Sequence, residues 1–121
     1  MKTNNEVLYT YNAEIVRVVD GDTVVALIDL GHNLHIKRSI RLLGIDTPEI
    51  RTKNKQEKEN GYKCKIHLEE LLNKYKGVCI IQTIKRDSFG RWLANIWVGR
   101  KKESLTVHMQ LFMDKNKLNK K

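Results

Sequence analysis

The hydrophobic positions of this chain change period twice. Residues 13–43 carry apolar residues in short β-branched runs, and turn-forming residues interrupt them at two places. Residues 13–19 are rich in Ile and Val and predict a first strand. Asp20-Gly21-Asp22 predicts a tight turn, because glycine tolerates positive φ and aspartate favours such positions. Residues 23–30 predict a second strand, Gly31-His32-Asn33 a second turn, and residues 34–43 a third strand. In that third strand Leu34, Ile36 and Ile40 are apolar, with basic residues between them. Three strands joined by tight turns make a β-meander.

The period then lengthens. Cys64, Leu68, Leu71, Leu72 and Tyr75 fall on one stripe and predict a helix over about 59–75. Asn60, Gln56 or Asn54 would cap it, and Gly77 would close it. The polar, charge-mixed residues 50–59 ahead of it predict a loop. Residues 78–84 and 91–98 return to strand composition, separated by a charged turn over 85–90. Residues 103–113 predict a second helix with Leu105, His108, Met109 and Phe112 on one side. Residues 1–12 predict a frayed start, and 114–121 a basic, asparagine-rich tail. Three strands, a helix and two more strands is the order of a five-stranded OB-fold barrel. The class is α+β, a β-barrel with one helix between strands three and four and a short C-terminal helix. There is no repeat and no internal linker, so 1–121 is expected to form a single domain, a length that suits one core.

Charge adds a partner class. Lys and Arg number 23 against 14 acids, a formal charge of +9. Such a surplus favours polyanions, either nucleic acid or an anionic membrane surface, with plain solubility as the other reading. No apolar run approaches the roughly 20 residues of a membrane span. No apolar leader segment is visible at the start. The expectation is a cytoplasmic protein without a membrane partner, secreted only if a leader has been trimmed away. Cys64 and Cys79 form no CxxC pair and have no histidine at zinc spacing, so they read as small buried hydrophobes. The four histidines show no ligand spacing and read as surface or edge residues.

The chemistry gathers in Arg41-Leu42-Leu43-Gly44-Ile45-Asp46-Thr47-Pro48-Glu49. Leu42, Leu43 and Ile45 suit a buried strand. Pro48 cannot donate to a ladder and biases Thr47 away from helix, so the strand is expected to end near Thr47. That leaves Asp46 and Glu49 at its mouth. If the barrel brings this end to Asp22, three carboxylates converge. A hard cation such as Ca²⁺ or Mg²⁺ would offset their repulsion. Arg41 and Arg91 would contact one anion from two sides, since guanidinium matches phosphate oxygens with paired N–H groups. Acids, a cation and two arginines suit phosphodiester hydrolysis. Each residue also has a plainer reading. Asp20 and Asp22 would serve as turn formers, Asp46 as a turn cap and Glu49 as a solvated loop acid. Arg41 would pair with Asp46, Asp87 with Arg91, and the tryptophans would pack in the core.

Three segments together resemble a known family. Val19-Asp20-Gly21-Asp22-Thr23, the 41–49 segment and Asp87-Ser88-Phe89-Gly90-Arg91 are similar in type and order to the motifs of the staphylococcal nuclease (thermonuclease) family, over about 13–113. The resemblance implies the OB-fold barrel with helices. It also implies Ca²⁺-dependent hydrolysis of DNA and RNA with little sequence preference, leaving 3′-phosphate ends. By position, Asp22 and Asp46 would ligate one Ca²⁺ through their carboxylates, and Thr47 through its carbonyl. Glu49 would orient or deprotonate the attacking water, and Arg41 and Arg91 would bind the phosphate and stabilise the transition state. Asp20 and Asp87 fall at supporting positions. Some positions depart from the pattern. Ser88 and Phe89 stand where the family has lysine and tyrosine, and Phe89 lacks a hydroxyl to bond a phosphate. The segment between Asp22 and Asp46 is longer, implying a longer hairpin on which Lys37 and Arg38 would add phosphate contacts. The family's long C-terminal helix and the tyrosine-bearing loop before it have no counterpart in these residues. The alternative reading is therefore a non-catalytic OB-fold nucleic-acid-binding module. A monomer is expected, with dimerisation as the other outcome.

Overall fold

The computed structural model describes residues 9–86 and 91–119. Asp87, Ser88, Phe89 and Gly90 of the third motif lie outside the described residues. The elements run β1 (Thr10–Asp20), β2 (Thr23–Gly31), β3 (Leu34–Leu42), α1 (Lys55–Lys74), β4 (Val78–Arg86), β5 (Trp92–Val98), β6 (Glu103–Ser104) and α2 (Leu105–Asn116). The sheet order is β3-β2-β1-β4-β5-β6, and β3 also pairs in parallel with β5. That extra pairing closes the five long strands into a barrel, which leaves few free edges. The fold is the OB-type α+β barrel that the element order predicts, with the two-residue β6 added.

Period two decides what fills the barrel. Ala94, Ile96 and Val98 point inward from β5, while Leu93, Asn95 and Trp97, which alternate with them, are half-buried. Val24, Ala26, Ile28, Ile40, Leu42 and Ile81 complete the interior, and Leu68, Leu72, Leu105, Met109 and Met113 close it from the helices. Trp92 packs on the rim of the core rather than within it, and Trp97 is likewise half-buried. The β2–β3 hairpin turns on His32 and Asn33, both at positive φ, as a two-residue turn of right-handed twist requires.

Several boundaries differ from those the sequence predicts. β1 starts at Thr10, because Thr10–Glu14 pair with β4, so residues 10–12 belong to the sheet; the rest of the expected frayed start, residues 1–8, lies outside the described residues. β3 ends at Leu42 rather than near Thr47. Gly44 then takes φ +84°, which turns the chain out of the sheet before Pro48 is reached. α1 begins at Lys55, four residues earlier than its apolar stripe suggests, and its cap is Asn54, not Asn60. The Asn54 side chain accepts from the Glu57 amide at 3.0 Å. The 114–121 segment is not all tail: α2 continues to Asn116, Lys117 caps it in the left-handed region, and Leu118 is buried. His67 lies flat on Phe112 at 3.9 Å, tying α1 to α2, and His108 pairs with Glu103 at 2.8 Å. These two histidines therefore hold helix contacts.

Both cysteines are free and buried. Burial pushes the Cys79 thiol up to about 12; burial, with the charge of Asp22, pushes Cys64 up to about 11. The thiolate is the reactive form. Neither cysteine is expected to react with a thiol reagent near pH 8 while the chain is folded, and both should react in urea. These groups stabilise the fold fully below their unfolded value of 9.0. That contribution drains away as pH rises from there toward the folded values. A thermal melt should therefore fall on the alkaline side of about pH 9, and fast labelling of the native protein would contradict the packing.

Candidate active site

Strand register brings the motif residues together. Asp20 and Thr23 face each other across the β1–β2 turn, so Asp22 sits within it. Thr23 pairs with Arg41 on β3. Ile40 pairs with Trp92 on β5, so Arg91 enters beside the same strand end. The Leu42 amide donates to the Asp22 carbonyl at 2.8 Å, and the Leu43 amide to Ala94 at 2.9 Å, anchoring the chain as it leaves the sheet.

One network joins these side chains. Arg41 Nη2 lies 3.2 Å from Asp22 Oδ2 and 3.2 Å from Asp46 Oδ1. The Thr47 amide donates to Asp22 Oδ2 at 3.1 Å, and the Thr23 hydroxyl to Asp22 Oδ1 at 3.0 Å. Arg91 Nη1 donates to the Thr23 hydroxyl at 3.4 Å. Asp22 and Thr47 are buried, whereas Asp46 and Glu49 are exposed. Burial alone would raise the Asp22 carboxyl. Hydrogen bonding with Asp20, the Thr47 amide and Thr23, together with the charge of Arg41, outweighs burial and holds it below the ordinary carboxylate value. Asp20 moves the other way, pushed up to about 6 by burial and then by its hydrogen bond and charge contact with Asp22. The buried acid at the centre of the network is thus ionised at neutral pH.

The donor chemistry suits a hard cation. Two carboxylates lie on one guanidinium nitrogen, with backbone oxygens of the 46–49 segment nearby in the chain. Among the described residues no group of three or more His, Cys, Asp or Glu side chains could hold a metal by themselves. A cation here would draw its remaining ligands from backbone and water. It would also share Asp22 and Asp46 with Arg41.

Comparison with known proteins shows the family of the chain. The profile described as staphylococcal nuclease homologue matches residues 39–113, well over half of the chain. The chain belongs to the staphylococcal nuclease family. Among curated relatives of this nuclease-family chain, an uncharacterised protein of Methanocaldococcus jannaschii is 35% identical over 120 residues, covering 84% of this chain and 55% of that protein. A thermonuclease of Staphylococcus hyicus is 28% identical over 87 residues, covering 72% of this chain and 48% of that one. The chain thus spans about half the length of the curated relatives it matches. None of the helices among the described residues is long and apolar enough to cross a membrane.

Three residues around these side chains take parts that no motif singles out. Thr23 links Arg91 to Asp22, although it appeared only as the last letter of a turn motif. Glu57, in the first turn of α1, accepts from the Glu49 amide at 3.1 Å. Gly61 lies against the same loop: a Cβ there would stand 2.8 Å from the Pro48 carbonyl oxygen and 2.9 Å from that of Glu49. A glycine inside a helical period costs about 1 kcal/mol relative to alanine, which is itself a signal of close packing. Gly21 shows the matching approach on the other side, with its virtual Cβ 2.6 Å from Cys64 Cβ. The helix is seated directly on both acid-bearing turns.

Proposed function

We propose that this protein is a Ca²⁺-dependent nuclease that hydrolyses phosphodiester bonds of DNA and RNA with little sequence preference. The observation that carries this reading is the single network through which Asp22, Arg41 and Asp46 meet and which Arg91 joins through Thr23. Asp22, Asp46 and the Thr47 carbonyl would hold one Ca²⁺, all of them hard oxygen donors. When bound, the ion supplies Lewis-acid polarisation of a phosphoryl oxygen. Arg41 and Arg91 bind the scissile phosphate and balance the charge that grows on it. Glu49, exposed at the mouth, orients the attacking water and accepts its proton. The water oxygen bonds to phosphorus, the bond to the 5′ oxygen breaks and that oxygen takes a proton from solvent. The products carry a 3′-phosphate and a 5′-hydroxyl. The +9 charge supports a polyanionic substrate.

A second reading, a non-catalytic nucleic-acid-binding module, draws on Arg41 already balancing both carboxylates. Metal-dependent turnover separates the two. Heat-denatured DNA should be degraded in millimolar Ca²⁺ and left intact in EDTA. Asp46→Ala should lower the rate by about a hundredfold or more, as loss of a metal or charge-stabilising ligand does. Degradation that ignores EDTA or Asp46→Ala would remove the metal-site assignment. Binding without degradation would favour the second reading.

A further inference from the structure

Next to the loop that bears Glu49 lies an open cleft of about 570 Å³. It is lined by Ile50, Arg51, Thr52, Lys53, Lys58 and Tyr62, so its charged lining residues among those described are all basic. Arg51, Lys53 and Lys58 are exposed, and Tyr62 is 44% exposed. The volume falls within the roughly 300–1,000 Å³ of clefts that hold small organic groups. Ile50 follows Glu49 directly in the chain, so the cleft adjoins the backbone of the residue assigned to the water. Its two walls are locked together. Gly61 seats α1 on the Pro48–Glu49 backbone, and Glu57 holds the Glu49 amide. Tyr62 and Lys58 therefore stand on a rigid helix at a set distance from the site.

We propose that this cleft is a subsite for a single-stranded segment of the nucleic acid flanking the bond to be cut. Arg51, Lys53 and Lys58 hold phosphates beyond the scissile one, and the Tyr62 ring stacks on an unpaired base. Stacking is sequence-tolerant because every base has a π-face, and a duplex keeps its base faces covered. Phosphate contacts by Lys and Arg add affinity without reading sequence. The inference rests on the nuclease reading for its purpose but not for its measurement.

The test is binding of a fluorescent oligothymidylate about a dozen nucleotides long, followed by anisotropy in EDTA, where no turnover is needed. Tyr62→Leu should weaken binding roughly tenfold, and Tyr62→Phe, which keeps the ring, should bind like wild type. Replacing Arg51, Lys53 and Lys58 together by serine should make the plot of log affinity against log salt shallower by about two. A charge-matched control, Arg100→Ser, Lys101→Ser and Lys102→Asn on the β5–β6 turn, should leave that slope almost unchanged. Tyr62 and the basic residues are exposed, and matching melts would show that the variants are folded. Wild-type-like binding by Tyr62→Leu overturns the proposal. So does an equal slope change in the control, or an absence of binding by the wild type. DNA cleavage in Ca²⁺ is scored separately, so loss of the nuclease reading and loss of the cleft give different results.

Discussion

Arg41→Met is expected to cut kcat/KM for DNA cleavage by about 10²–10³-fold, because it removes the cation proposed to bind the scissile phosphate. The same change strips Asp22 of its ion-pair partner at 3.2 Å. Asp22 would still accept from the Thr47 amide and the Thr23 hydroxyl. The stability loss should therefore be about 1–2 kcal/mol, below the full cost of an orphaned buried charge. A third effect has the opposite sign. Without the guanidinium between them, Asp22 and Asp46 have no fixed cation to share, so Ca²⁺ should bind more tightly. The Ca²⁺-induced rise in melting temperature should then be larger in the variant than in wild type. Kinetics and paired melts with and without Ca²⁺ measure all three. Wild-type kcat/KM in Arg41→Met would remove this residue from the chemistry.

Gly61→Ala sets two tendencies against each other. Helix propensity alone favours alanine by about 1 kcal/mol. The added Cβ would meet the carbonyl oxygens of Pro48 and Glu49 at 2.8 and 2.9 Å, and these are backbone atoms that no side-chain rotation moves aside. Overpacking of this kind costs typically about 1–3 kcal/mol, so the net change should be destabilising. The strain falls on the segment that carries Glu49. A displacement of about 1 Å at a reacting group can cost about 10²-fold, so kcat should drop by roughly ten- to a hundredfold. KM should change much less, since Arg41 and Arg91, the proposed phosphate-binding residues, stand on or beside other strands. A more stable, fully active Gly61→Ala protein would show that the loop lifts off the helix freely.

The start of α1 shows where a sequence reading stops. Residues 55–60 are Lys, Gln, Glu, Lys, Glu and Asn, with no apolar residue to set a helical phase. The stripe begins only with Cys64. What makes the first turn helical is the Asn54 cap, and what holds it in place is Glu57 reaching the Glu49 amide. The latter contact is tertiary. By contrast, β5 was readable because Ala94, Ile96 and Val98 are apolar at period two, and the β2–β3 turn because His32 and Asn33 follow a glycine. β3 ends earlier than the sequence predicts because Gly44 turns the chain before the more conspicuous breaker, Pro48, is reached.

By itself, the sequence determined the order of the elements, the buried stripe of α1 and the candidates Asp22, Arg41, Asp46, Thr47, Glu49 and Arg91. These are local properties of period, turn chemistry and residue type. Only the tertiary structure decided which candidates meet. The pairings Thr23 with Arg41 and Ile40 with Trp92 depend on strand register and barrel closure, and these are properties of distant segments. Register made Asp22 the buried centre shared by Arg41, Thr23 and the Thr47 amide, and left Glu49 at the mouth. It also gave Gly61 its role, since the distance from a helix to a loop backbone is written in no single stretch of chain.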